Sequence, residues 1–170
     1  MAATEAPPRV ATARLALFVL ITVLVLLADQ ATKALARDYL HRGGPRSVAV
    51  IGEYIRLTYV ENRGAAFGVL QNQTAFFVLV GVVVIGVIAL SFRYMSNPSL
   101  LLIACLGLQM GGAIGNLIDR IRSGFVVDFI DLTFWPVFNL ADSAIVVGVA
   151  LLAYQVALRP SGQPRRADGA

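Results

Sequence analysis

Four long apolar runs, each near the length that crosses a lipid bilayer, constrain this chain more than any other feature: Leu15 to Ala28, extendable through Asp29 and Lys33 to about Ala36; Thr74 to Phe92; Pro98 to Ile118; and Ser143 to Leu158. A hydrocarbon core about 30 Å thick, crossed at about 1.5 Å per residue, takes roughly 20 mostly apolar residues. The composition agrees, since 58% of the 170 residues are hydrophobic and only 14% are charged, well outside the range of soluble domains. The runs predict an all-α membrane protein with helices over about 14–36, 74–92, 98–119 and 141–158. The first and last runs are short and abut Asp29 and Asp142, which must therefore sit near a membrane boundary or face protein.

The net charge of +4 does not point to nucleic acid, because the basic residues are scattered and no stripe of Lys and Arg interleaved with aromatics is present. Cys105 is the only cysteine and His41 the only histidine, which excludes an intramolecular disulfide, a cysteine metal cluster and zinc sites built on two or three histidines. Arg9 and Arg14 ahead of an apolar stretch, with the triplet Ala34-Leu35-Ala36 behind it, resemble a cleavable signal peptide. Asp29 and Lys33 intrude before the triplet, four residues apart on one helical face, so an uncleaved first span is the better reading. Residues 1–13 and 159–170 lack periodicity and read as mobile tails on one side of the membrane. With the tails and the Arg93 to Pro98 turn inside, six basic residues lie inside (Arg9, Arg14, Arg93, Arg159, Arg165 and Arg166) and eight outside, so the count alone does not favour that orientation.

Between the first two spans, VAVIGEYIRLTYVEN is rich in β-branched and aromatic residues with partial alternation, which predicts two or three short strands over about 44–72 lying on the bilayer. A second connection, Arg120 to Leu140, carries Asp128, Asp131 and the aromatics Phe134, Trp135 and Phe138, which suit the headgroup level. In the third span Gly107, Gly111 and Gly115 recur every four residues, a small-residue stripe that admits another helix. The two halves of the chain share no repeat, and the centres of the second and fourth spans are wholly apolar. Both observations argue against the main alternative for intramembrane acids, a small proton-coupled transporter or channel subunit.

The acids and amides cluster at span boundaries in five stretches: DQATK (29–33), ENRGAAFG (61–68), GGAIGNLIDR (111–120), VVDF (126–129) and FNLADS (138–143). If the first and third spans end, and the fourth begins, on one side, their polar residues collect at one membrane face. In order and spacing these stretches resemble the signature blocks of the bacterial lipoprotein signal peptidases (signal peptidase II), over roughly residues 15–158. The resemblance implies a four-helix aspartic peptidase of the bacterial cytoplasmic (inner) membrane with an extracytoplasmic β-sheet cradle. Both termini would be cytoplasmic and the active site would lie at the extracytoplasmic face. Its substrates would be diacylglyceryl-modified prolipoproteins, cut just before the lipidated cysteine, with membrane lipids as the other partner, no cofactor or metal, and a monomeric enzyme. It further implies Asp128 and Asp142 as the catalytic pair, with Asp29, Lys33, Asn62, Gly64, Asn116, Arg120 and Asn139 lining or supporting the site.

Physical chemistry gives the pair a rationale of its own. Two carboxylates at ~4 Å repel by about 4 kcal/mol at an effective dielectric of ~20, about three pKa units. One ionises near neutral pH, takes a proton from water and leaves the other to donate to a carbonyl, and the two titrate as a unit. Plainer roles stand beside these. Asp142 would suit the first turn of a helix, Asp128 a solvated loop, and Asp131 a solvated or capping acid. Asp119, on the glycine stripe, reads as a brace between helices. Arg120 is open to an oxyanion, a lipid phosphate or Asp119. Asp29 with Lys33 reads equally as a helix-edge ion pair or a substrate contact. Asn62 and Gly64 are a turn pair, Asn139 an orienting group for Asp142, and His41 a surface residue.

Overall fold

The structure, a computed structural model, describes residues 12–42, 44–64 and 70–157. Helix α1 (Thr12–Ala36) runs directly into a π-helical turn (Arg37–Arg42). Strands β1 (Ser47–Ile51) and β2 (Ile55–Asn62) follow, then α2 (Thr74–Arg93), α3 (Leu100–Ser123), β3 (Val126–Asp131) and α4 (Leu140–Ala157). The four α-helices are each long and apolar enough to span a bilayer. α1 takes in Thr12 and Ala13, which the sequence assigns to a tail; the rest of that tail and residues 158–170 lie outside the described residues.

α3 is the centre of the bundle. Of its most apolar stretch 56% is buried, against 17% for α1 and 11% each for α2 and α4, so the other three turn most of their surface outward. Among lipid that is the stable arrangement for Leu24, Leu27, Leu79, Val83 and Val146, all more than half exposed. The glycine stripe admits α1, and Gly112 beside it admits α4. A Cβ at Gly111 would meet the Thr22 carbonyl and the Val25 side chain of α1 at 2.7 Å, and one at Gly112 would meet the Ala141 carbonyl of α4 at 2.5 Å. α4 answers with Gly148, where a Cβ would lie 2.8 Å from the Cys105 carbonyl. At one end of the bundle Phe18 stacks on Phe92 with ring centroids 4.2 Å apart, over Ile88, Ile103, Leu106 and Met110.

The opposite end carries the sheet. Its order is β1-β2-β3, antiparallel throughout, with irregular register between Ala49 and Ile51 and between Leu57 and Val60. The sequence places the whole sheet between α1 and α2; its third strand instead comes from the connection after α3, where VVDFID pairs with β2. α3 outruns its expected end at 119 and stops at Ser123 because Gly124, at φ 78°, takes the left-handed conformation and returns its N–H to the Arg120 carbonyl. Only the short turn to β3 then remains, so Asp128 is held just beyond the end of α3. Ala36, Leu40, Tyr59, Val127 and Phe129 pack the sheet onto the end of α1.

Gly111→Val should cost about 2 kcal/mol or more by forcing α1 off α3. Gly86→Ala, where an added Cβ meets nothing within 4 Å, should be neutral or slightly stabilising. Thermal unfolding of the two variants in one detergent checks the contrast.

Candidate active site

Four elements converge at the sheet end: the last turns of α1 and α3, strand β3 and the first turn of α4. Asn139 precedes α4 and caps it reciprocally with Asp142. The Asp142 N–H donates to Asn139 Oδ1 at 2.9 Å, and the Asn139 N–H donates to Asp142 Oδ2 at 3.3 Å. The Asn139 side chain also donates from Nδ2 to Asp128 Oδ1, at 2.6 Å. One residue therefore bonds both carboxyl groups. The helix-start reading of Asp142 and its place beside Asp128 are a single arrangement.

Each aspartate has a further amide donor. Asn62 Nδ2 donates to Asp128 Oδ2 at 2.9 Å, while its Oδ1 accepts the Gly64 N–H at 3.0 Å, so the turn reading of this pair holds together with its contact to Asp128. Asn116 Nδ2 donates to Asp142 Oδ1 at 2.7 Å. Asp128 is only 1% exposed, so it is no solvated loop residue. Burial, and after it the negative charge of Asp142, push its carboxyl from the ordinary 3.8 up to about 7, against the opposing pull of the Asn62 and Asn139 donors.

Behind the amides lies a buried charge cluster. Lys33 Nζ sits 2.9 Å from Asp29 Oδ2 and 2.9 Å from Asp119 Oδ2, and donates to Asn116 Oδ1 at 2.9 Å. Asp29 and Lys33 are thus an ion pair, but an interior one. Asp29 Oδ1 accepts the Ala141 N–H at 3.0 Å and so caps α4 from α1, while Asp119 Oδ2 accepts the Val127 N–H of β3 at 3.4 Å. Gly115 has to be glycine here, since a Cβ would run into the Asp29 carboxylate. Asp119 braces the packing as expected of it, through Lys33 and β3. Arg120 points away from it, donating to the Asn116 and Gly64 carbonyls at 3.4 Å each, with its guanidinium 5.0 Å above the Phe77 ring.

Asp29, Lys33, Asn62, Asn116, Asp128, Asn139 and Asp142 thus form one connected network, with Gly64 and Arg120 at its margin. Asp131 stays outside it, accepting from Thr58 Oγ1 at 2.7 Å and from the Thr133 N–H at 2.9 Å, the capping one of its two readings. His41 is exposed but stacks on Tyr59 with centroids 4.5 Å apart. Gln30 is a member that sequence reasoning missed: its Nε2 reaches Asp29 Oδ2 at 3.2 Å, the Gly115 carbonyl at 3.3 Å and Asp119 Oδ1 at 3.2 Å. The available signal was a glutamine among the boundary polar residues of DQATK.

Four apolar helices closing on paired acids at one end make a polytopic membrane enzyme, and solved structures agree. Two bacterial membrane enzymes, solved by the in meso method at 1.9 and 2.3 Å resolution, match with TM-scores of 0.77 and 0.76 and identities of 30% and 28%, covering 92% and 95% of this chain and all of theirs. Residues 21–158 match the family described as signal peptidase (SPase) II, and the chain belongs to that family. It is 50% identical over 149 residues to the lipoprotein signal peptidase of Moorella thermoacetica, covering 88% of this chain and 97% of the relative. It is 51% identical over 137 residues to that of Caldanaerobacter subterraneus subsp. tengcongensis, covering 80% and 92%. The protein is accordingly a multi-pass membrane peptidase, and the transporter or channel alternative finds no support.

Two outcomes follow from the electrostatics. Lys33→Met leaves two buried carboxylates without their shared cation and should cost about 3 to 5 kcal/mol, read as a lowered unfolding temperature in detergent. Between pH 3.8 and about 7 the folded chain keeps a proton on Asp128 that the unfolded chain has released, so stability should fall as pH rises through that window, by at most about 4 kcal/mol. Asp142→Asn, by removing the neighbouring charge, should move the fall to lower pH in a pH series of melting curves.

Proposed function

We propose that the chain is a membrane-embedded aspartic endopeptidase that removes the signal peptide from diacylglyceryl-modified prolipoproteins, cutting before the lipidated cysteine, with Asp128 and Asp142 as its catalytic pair. The observation that carries this reading is that Asn139 bonds both carboxyl groups, one buried and holding its proton up to about pH 7. Such a pair divides acid from base at neutral pH.

In the proposed reaction the ionised carboxylate takes a proton from a water molecule, whose oxygen bonds to the scissile carbonyl carbon. The protonated partner gives its proton to the carbonyl oxygen, forming a neutral tetrahedral diol. Collapse of the diol breaks the C–N bond. The amine nitrogen takes one proton from the pair and a hydroxyl proton returns to it, restoring one shared proton for the next cycle. Asn62, Asn116 and Asn139 hold the carboxylates in position. Asp29 and Lys33 anchor Asn116 and the start of α4. Gly64 and Arg120 form the margin over which substrate passes, Arg120 with guanidinium hydrogens to spare for an oxygen of the substrate. Family resemblance supports a site at the extracytoplasmic face, both termini in the cytoplasm, and a monomer working without a metal.

Purified enzyme in detergent, given a diacylated prolipoprotein, should release the signal peptide in the presence of a chelator. Asp128→Asn and Asp142→Asn should each lower turnover by at least a thousandfold while remaining folded and inserted; retained cleavage by either variant would remove the carboxylate pair from the mechanism.

A further inference from the structure

A groove of about 410 Å³ opens beside α4. Phe134, Trp135 and Phe138 of the connection after β3 form one wall and Val146 and Val147 the other, and Asp142 stands at its polar end. Asp142 and Val146 are one helical turn apart on the same face, so the groove runs from the proposed catalytic acid down α4. It leads onto surface that faces outward from the bundle, where Val146 is 66% exposed. We propose that this groove holds the first stretch of an acyl chain of the substrate's diacylglyceryl group, a reading that rests on the function proposed above.

The backbone around the groove selects an acyl chain over a peptide. An extended segment needs a strand edge to satisfy its N–H and C=O groups, above all at membrane depth. The edge β3 would offer here is already taken. The Phe138 N–H donates to the Ile130 carbonyl at 3.0 Å, and the Phe138 carbonyl accepts from the Ile130 N–H at 2.8 Å and the Phe129 N–H at 3.0 Å. A peptide in the groove would bury unpaired polar groups against aromatic and valine side chains. A hydrocarbon chain brings none. Continuity supplies the second argument: a group within a few bonds of the scissile peptide, and soluble in the bilayer, has a path from lipid to Asp142 along α4. The groove takes the carbons nearest the glyceryl group, and the rest of the chain continues into lipid beside the helix.

The test uses the full-length enzyme in mixed micelles and one prolipoprotein carrying either dipalmitoylglyceryl or dibutyrylglyceryl on its cysteine. Wild type should show a kcat/KM at least tenfold higher for the long-chain substrate. Val146→Trp fills the groove and should bring the long-to-short ratio close to one. Val83→Trp, at a half-exposed position on α2, which contributes nothing to the groove, should keep the wild-type ratio. An unchanged ratio in Val146→Trp, equal losses on both substrates, or no chain-length preference in wild type would each overturn the assignment, the equal losses pointing to a peptide occupant. Processing of neither substrate by wild type would instead sink the function on which it rests.

Discussion

The rest of the structure depends on one ammonium group. Lys33 is buried between two carboxylates, and its cluster holds one positive charge against two negative ones inside an otherwise largely apolar bundle. Taking such groups out of water is expensive, and an ion pair alone rarely offsets the cost. Here the excess negative charge is spread over N–H donors from other elements: Ala141 at the positive end of α4, Val127 of β3, and the Gln30 amide. Every donor is also a mechanical tie. The cluster can be neutralised only when α1, α3, β3 and α4 are all in register, so electrostatics here enforces one arrangement of helices that apolar packing alone, in an apolar solvent, would leave loosely determined.

Asparagine is the residue that carries this order outward to the paired acids. A primary amide offers an acceptor and a donor at opposite corners. Asn116 can accept from Lys33 on one side and donate to Asp142 on the other, and Asn139 can accept from the Asp142 N–H while donating to Asp128. A carboxylate at either position would add a charge to an already crowded site, and an aliphatic side chain would break the relay. The amides separate the strongly charged interior from the Asp128 and Asp142 carboxyls, the first of them pushed by burial and by its neighbour's charge up to about 7.

Much of this was legible in the sequence and some of it was not, for identifiable reasons. The spans could be read because membrane crossing demands length and apolarity at once, and the glycine stripe because close approach leaves small residues at fixed spacing. The gathering of Asp29, Lys33, Asn116 and Asp142 needed only the direction of three helices. The place of β3 was hidden, since strand pairing joins residues far apart in sequence and VVDFID is too short to show its partner. The Asn139 and Asp142 box looked like a choice between cap and chemistry because a sequence lists roles singly, whereas both oxygens of one carboxylate are available at once. Arg120 offered three partners on paper; the fold gives Asp119 to Lys33 and leaves the guanidinium over Phe77.

Asp128 lies on a strand formed after α3, while Asp142 and the Ala141 N–H that satisfies Asp29 belong to the last of the four helices. In chain order Asp29, Lys33 and Asp119 all precede the helix that completes their hydrogen bonding, and without it the Asp29 carboxylate lacks its Ala141 donor. Arrival of α4 relieves that deficit and brings the second acid to the first in the same event. Completing the buried charge cluster and setting Asp142 beside Asp128 are therefore one packing step, made by a single helix.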